Sequence, residues 1–259
     1  MDNRLENKIA LITGASSGIG KACCESLAKM GMNLIITARR KNILDEISKE
    51  LSDKFGVKIL PLQIDVSSAQ DVSEKINSLP DEWKKINVLV NNAGLAIGTD
   101  KVFDYTFEKI DKMIDTNVKG LMYVSTSVIP LMLKHKEIST IINVGSVAGD
   151  FSYGGGSIYC SSKAAVKSFS DAMRIDLIDT NVKVTNVKPG LVETEFSIVR
   201  FSGDKEKAKN VYKGINPLVA EDIADVIVYI CNLPDNVQVP EITLTPLHQA
   251  SVRDVYKEC

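Results

Sequence analysis

Several groups of residues in this chain have the types and spacing to do chemistry. The run Thr13-Gly14-Ala15-Ser16-Ser17-Gly18-Ile19-Gly20 follows an apolar segment and sets three glycines in the order GxxxGxG. At a strand-to-helix turn such glycines let backbone approach a diphosphate, while the next helix points free N–H groups and its positive dipole end at it. No Gly-Lys-Ser/Thr follows, so the run is not a P-loop. At the end of the second apolar segment stand Ala38-Arg39-Arg40, where a carboxylate would hold the ribose of NAD. A guanidinium forks onto a 2′-phosphate, so Arg39 and Arg40 favour NADP. The alternative, a solvated basic pair at a helix start, opposes the helix dipole unless an anion is present. Tyr159 and Lys163 lie four apart in a helical stretch, hence on one face. A phenol titrates near ~10, and a neighbouring ammonium favours its phenolate, moving it toward proton exchange with an alcohol at neutral pH. In an unrelated helix the same pair would be a half-buried ring and a solvated amine. Ser146 ends the fifth apolar segment, where its hydroxyl could donate to a substrate oxygen or simply form a turn.

These residues need elements to position them. Short β-rich runs at 8–13, 33–38, 57–62, 87–91, 140–144 and 182–187 alternate with helical periodicity at 19–30, 42–55, 69–79, 118–133, 157–179 and 221–231. A short edge strand is expected at 242–245. Such alternation predicts an α/β fold, a Rossmann-type doubly wound parallel sheet of about seven strands with helices on both faces. No linker or composition shift divides residues 1–259, so one domain is expected. Residues 195–214, rich in lysine and lacking the pattern, read as a mobile cover over a substrate site. The tail 249–259 is expected to fray or to reach a neighbouring subunit.

Composition limits the function classes. The 259 residues carry 31 Lys+Arg against 33 Asp+Glu, a balance that supplies no general field for nucleic acid or anionic lipid. No apolar run approaches the ~20 residues of a spanning helix. The polar N-terminus resembles neither a signal nor a transit peptide, making the cytoplasm the default. Five scattered cysteines (Cys23, Cys24, Cys160, Cys231, Cys259) read as reduced, mostly buried thiols. With two histidines, His135 at a helix end and His248 in the tail, neither a metal site nor a Ser-His-Asp triad is expected.

Taken in order, Thr13 to Gly20, Asn91-Asn92-Ala93-Gly94, Asn117, Ser146, Tyr159-Cys160-Ser161-Ser162-Lys163 and Pro189-Gly190 resemble the short-chain dehydrogenase/reductase family over the full chain. The strings Leu89 to Ala96, Gly156 to Tyr159, Leu191 to Ser197 and Val199-Arg200-Phe201 resemble its NADP-dependent 3-hydroxy acid branch, also described as serine or L-allo-threonine dehydrogenase. The resemblance implies NADP(H) as cofactor and hydride transfer between a small 3-hydroxy acid and its 3-oxo acid or semialdehyde. The alternatives are a carbonyl or 3-ketoacyl reductase with a bulkier substrate and a non-catalytic dinucleotide-binding regulator. It implies a catalytic set of Asn117, Ser146, Tyr159 and Lys163, with Lys163 also on the nicotinamide ribose. Cofactor contacts implied are Gly14, Ser16, Ser17, Gly18, Ile19 and Gly20 at the diphosphate, with Arg39 and Arg40 beyond. Asp65 and Val66 would flank adenine, and Asn92, Ala93 and Gly94 the adenosine ribose. Pro189, Gly190, Val192 and Thr194 would face the nicotinamide. On the substrate side stand Ser146, Tyr153, Tyr159 and Arg200, the last either a carboxylate clamp or a surface cation. A homotetramer is implied as well.

Overall fold

The computed structural model describes residues 2–257; Cys259, one of the expected thiols, lies outside them. The chain begins with β1 (Ile9–Thr13), α1 (Gly18–Lys29), β2 (Asn33–Ala38), α2 (Lys41–Phe55), β3 (Ile59–Gln63), α3 (Ala69–Asn77) and β4 (Ile86–Asn91). Next come α4 (Phe107–Ile114), α5 (Leu121–His135), β5 (Ser139–Val144), α6 (Ser157–Asp176) and β6 (Val182–Pro189). Two short helices, α7 (Glu195–Arg200) and α8 (Lys205–Val211), precede α9 (Ala220–Cys231) and β7 (Glu241–Leu244).

Every strand pairing is parallel, in the order β3-β2-β1-β4-β5-β6-β7. The direction of winding reverses between β1 and β4, and at that switch the carboxyl ends of the strands splay into a ligand crevice. Alternate side chains of β1 serve the two core layers. Ala10 and Ile12 pack with Leu27 and Ile223 on the α1–α9 side, whereas Ile9 and Leu11 pack with Val72, Val124 and Met173 on the α3–α5–α6 side.

Polar residues interrupt this apolar alternation near the crevice. Asn91, Asn143 and Asn186 stand in register across β4, β5 and β6. The Asn91 amide donates to Asn143 and to Ser125 of α5, both at 2.9 Å, and Asn143 donates to Ser170 of α6 at 2.9 Å. Helices α5 and α6, the latter carrying Tyr159 and Lys163, are thus tied to the strand ends by buried, directional bonds. Lys188, only 6% exposed at its side chain, pairs with Asp150 at 2.6 Å and with Glu241, fastening β7 to the loop after β5.

Three expectations change. The helix predicted over 118–133 begins eleven residues earlier, as α4 runs through a π-helical turn at Asp115–Gly120 into α5. On α4, Met113 and Ile110 pack into a small apolar cluster with Leu95, Tyr105 and Ile158, while Phe107 is left 85% exposed. Residues 195–214 are not patternless: Thr194 caps α7 and Asp204 caps α8. Ser202 and Gly203, both at positive φ, turn the chain between the two helices. The described part of the tail is folded instead of frayed, with Gln249 only 5% exposed and paired in a bridge with Val255. Among the described residues no helix is long and apolar enough to cross a membrane. Cys23, Cys24, Cys160 and Cys231 are buried free thiols.

Candidate active site

The glycine-rich turn joins β1 to α1 under tight steric control. A Cβ on Gly20 would lie 2.3 Å from the Gly14 carbonyl oxygen, a distance no side chain tolerates. Asn92 clasps this turn from the end of β4, its amide donating to the carbonyls of Thr13 at 2.9 Å and Gly14 at 3.2 Å. The Thr13 hydroxyl accepts in return from the N–H groups of Asn92 and Ala93, both at 3.0 Å. The sequence suggested backbone proximity to a ribose for Asn92; the side-chain clasp comes only from the packing of β1 beside β4. Ser17 precedes α1 in an extended conformation and makes no side-chain cap, so its hydroxyl does not compete for the helix's leading N–H groups.

Beyond the turn, Arg40 wraps around the glycine loop. Its guanidinium donates to the Ser16 hydroxyl at 2.9 Å and lies 3.6 Å from Glu195 at the start of α7. Arg39 lines the same cleft, and its side chain makes no hydrogen bond or ion pair among the described residues. The two cations therefore flank a pocket edge without saturating each other. Asp65 lines the cleft beyond β3 and also acts as a turn residue, its carboxylate accepting from the Ser67 N–H at 3.0 Å and hydroxyl at 2.7 Å.

At the other end of the cleft stand Tyr159 and Lys163, one helical turn apart on α6. The Lys163 ammonium lies 5.9 Å from the centre of the Tyr159 ring and donates to the Val144 carbonyl at 2.7 Å. Burial lowers the Lys163 pKa to about 8. Burial also pushes the Tyr159 phenol well above its ordinary value, opposed by a hydrogen bond with Ser146 and by the positive charge of Arg200. From the spacing alone, the neighbouring ammonium is expected to lower the phenol. In the protein desolvation dominates instead: the ring is half-buried in the cleft wall, and losing hydration there disfavours the phenolate more than the nearby charges favour it.

Asn117 sits in the π-helical turn, 1% exposed and behind the cleft. Its amide oxygen accepts from the Leu95 N–H at 2.8 Å, and its nitrogen donates to the Leu95 carbonyl at 2.8 Å and to Ser162 at 3.0 Å. A Cβ on Gly94 would be 3.3 Å from that oxygen and 3.6 Å from the Lys163 nitrogen. Glycine here lets the strand-end loop, Asn117 and Lys163 meet at one point. Of the residues singled out from the sequence, all except Gly20 and Asn117 line one cleft of about 650 Å³. Those two shape it from behind.

Several walls of the cleft carry no motif in the sequence. Phe196 on α7 meets Tyr159 ring to ring at 5.7 Å. Tyr212 holds the short helices down, its hydroxyl 2.7 Å from the Ser197 hydroxyl and donating to the Val192 carbonyl at 2.8 Å. The caps Thr194 and Asp204 were readable signals for α7 and α8; the closure of α7 over Tyr159 was not. Arg200, ending α7, donates to the Gly98 carbonyl at 3.2 Å and to the Tyr153 hydroxyl at 3.0 Å, its guanidinium 5.4 Å from the Tyr153 ring centre. His135 bonds the Ile86 carbonyl at 3.0 Å and His248 packs on Tyr256, both away from the cleft.

A glycine cradle, two cations at one end and a half-buried Tyr159 beside buried Lys163 at the other fit a phosphorylated dinucleotide laid across the switch point. These features define a dinucleotide-dependent oxidoreductase. Comparison with known proteins narrows the class. A sequence model described as short chain dehydrogenase matches residues 8–205. The chain is 48% identical to the NADP-dependent 3-hydroxy acid dehydrogenase of Schizosaccharomyces pombe, over 99% of both chains. It is 40% identical to sulfoacetaldehyde reductase 2 of Chromohalobacter salexigens, over 93% of this chain and 95% of that one. Among solved structures, the closed form of a serine dehydrogenase complexed with NADP+ superposes with a TM-score of 0.89 at 38% identity, covering 96% of this chain and all of that one. The chain belongs to the short-chain dehydrogenase family.

Proposed function

We propose that the protein is an NADP-dependent dehydrogenase of small 3-hydroxy acids, of the serine, allo-threonine, 3-hydroxyisobutyrate or 3-hydroxypropionate type. The cofactor is NADP(H), supported by Arg39 and Arg40 at the cleft edge and by the NADP-dependent relatives. When bound, the nicotinamide accepts or donates hydride at the reacting carbon. Tyr159 takes the hydroxyl proton in oxidation and returns it in reduction. Ser146 donates to the substrate oxygen, holding it beside the phenol. Lys163, a helical turn away, supplies positive charge and binds the nicotinamide ribose, and Asn117 holds the Leu95 backbone and Ser162 behind it.

The observation that carries the substrate class is Arg200. Two of its five N–H groups are held by Gly98 and Tyr153, which fixes the guanidinium at the cleft wall with donors to spare. A carboxylate suits that fork. In a 3-hydroxy acid one carbon separates the reacting carbon from the acid group, and the same holds between aldehyde and sulfonate in sulfoacetaldehyde, the compound named for one relative. Residues 195–214 form the cover that opens to admit the substrate. The enzyme works in the cytoplasm as a homotetramer, in line with its family resemblance.

Turnover of a panel of 3-hydroxy acids, neutral alcohols and a 3-ketoacyl thioester, followed by NADPH absorbance, tests this reading. The acids are expected to react fastest, and with NADP+ over NAD+. A preference for the thioester would replace it with the bulkier-substrate alternative. Tyr159→Phe is expected to lower kcat at least 1000-fold while NADPH affinity changes little; parental turnover would remove the assigned proton transfer.

A further inference from the structure

The tail of the chain supplies a wall of the cleft that no motif predicts. After β7 the backbone turns back, and Gln249 is 5% exposed against the loop that follows β6. Its side-chain oxygen accepts from the Leu191 N–H at 2.8 Å, and its nitrogen donates to the Ser251 carbonyl at 3.1 Å. A Cβ on Gly190 would lie 2.4 Å from that same oxygen, so the amide fills the space glycine leaves. The turn carrying Gln249 is itself braced. Ala250 N–H donates to the Asp254 carbonyl at 2.9 Å, Ser251 donates to the Asp254 carboxylate at 2.6 Å, and Tyr256 N–H donates to the His248 carbonyl at 2.9 Å. Gln249 and Val252 both line the cleft beside Pro189, Gly190 and Leu191.

We infer that Gln249 is a positioning residue for the cofactor's nicotinamide half: by satisfying the Leu191 N–H it holds the loop from Pro189 to Thr194 in the shape that receives the ring. The Leu191 N–H has no strand partner: β6 ends at Pro189, and the last bond to β7 is made by Gly190 N–H, to the Leu244 carbonyl at 2.7 Å. The Gln249 side chain, 58 residues further on, provides one. Without it the amide would be left buried beside the cleft or would draw the loop toward water. A second tie already fixes the loop's far side, where Glu193 N–H donates to the Leu218 carbonyl at 2.8 Å and Leu218 N–H to the Leu191 carbonyl at 3.0 Å. Removing the Gln249 amide therefore loosens one edge of the loop and leaves the glycine-rich turn untouched.

The inference rests on that loop facing the nicotinamide, and the experiment separates the two. Full-length Gln249→Ala and Gln249→Met are titrated with NADPH and with 2′,5′-ADP, which carries the adenosine phosphate end and no nicotinamide. The Met variant keeps length and packing if the Ala variant folds poorly. Expected is a roughly tenfold loss of NADPH affinity, about 1.4 kcal/mol, with 2′,5′-ADP affinity unchanged and the affinity regained in part by Gln249→Glu, which keeps the acceptor oxygen. Equal loss for both ligands, or loss for neither, would overturn it. A Val192→Trp control blocks NADPH but not 2′,5′-ADP if the loop faces the ring. Val192→Trp acting selectively beside silent Gln249 variants sinks the Gln249 inference alone; equal binding in Val192→Trp sinks the loop assignment instead.

Discussion

Tyr159 is held between opposing influences. Burial raises its phenol, while Ser146 and Arg200 act in the lowering direction. The proton transfer proposed for Tyr159 is helped by positive charge from outside α6, and Arg200 contributes some from α7, whose Phe196 packs on the ring. The same residue is the candidate grip for the substrate's acid group. A charge-assisted hydrogen bond contributes about 1.5–3 kcal/mol, so Arg200→Ala is expected to raise KM for 3-hydroxy acids by roughly 10- to 100-fold. Neutral alcohols should lose less than threefold. Steady-state kinetics on both classes reads the difference, and an equal rise for both would remove the clamp.

Among the elements, the β1–α1 turn has the least tolerance. Its geometry follows from residues close in sequence, which is why the glycine spacing alone revealed it. Gly20→Ala would place a methyl group against the Gly14 carbonyl and the Asn92 amide. Overpacking of this kind costs about 1–3 kcal/mol, and here the backbone must shift at the diphosphate cradle. NADPH affinity is expected to fall at least tenfold together with a lower Tm, both measurable by titration and thermal melting; unchanged affinity would show that the cradle does not bind the diphosphate. The α4 helix and its π-turn were illegible for the opposite reason. Their apolar contacts, Met113 and Ile110 against Leu95 and Ile158, are to distant chain, and the Asn117 side chain that anchors them reaches Leu95, 22 residues away. The short helices α7 and α8 carried cap residues, yet their lysines and exposed faces resemble a loop.

For the whole molecule, holding a buried ammonium at the switch point carries a stability cost with a definite pH signature. The folded protein lowers the Lys163 pKa from 10.5 to about 8. Between those values the unfolded chain binds the proton that the folded chain has released, so this group's contribution to stability rises with pH across that window. Below about pH 8 the penalty is fully present. Lys163→Met is expected to be more stable than the parent at pH 7, by on the order of 2 kcal/mol, with the gap closing toward pH 10.5. Paired denaturation curves across pH check this, and a gap that widens with pH would contradict it. A group that costs stability in this way is what a binding crevice at a sheet's switch point accumulates.

The sequence by itself determined the alternation of strands and helices, hence the doubly wound sheet, and the residues whose neighbours lie within one turn: the glycine cradle, the Arg39–Arg40 pair, and Tyr159 with Lys163. These are local matters of period and spacing. Tertiary structure alone decided what depends on burial or on distant chain. It reversed the expected direction for the phenol, because desolvation depends on everything packed around a ring. It gave Arg200 its partners at Gly98 and Tyr153, 102 and 47 residues away. It brought Gln249 from a tail that looked unstructured onto the loop after β6, because a lone glutamine carries no periodicity and its bond is visible only once the sheet has brought the two ends together.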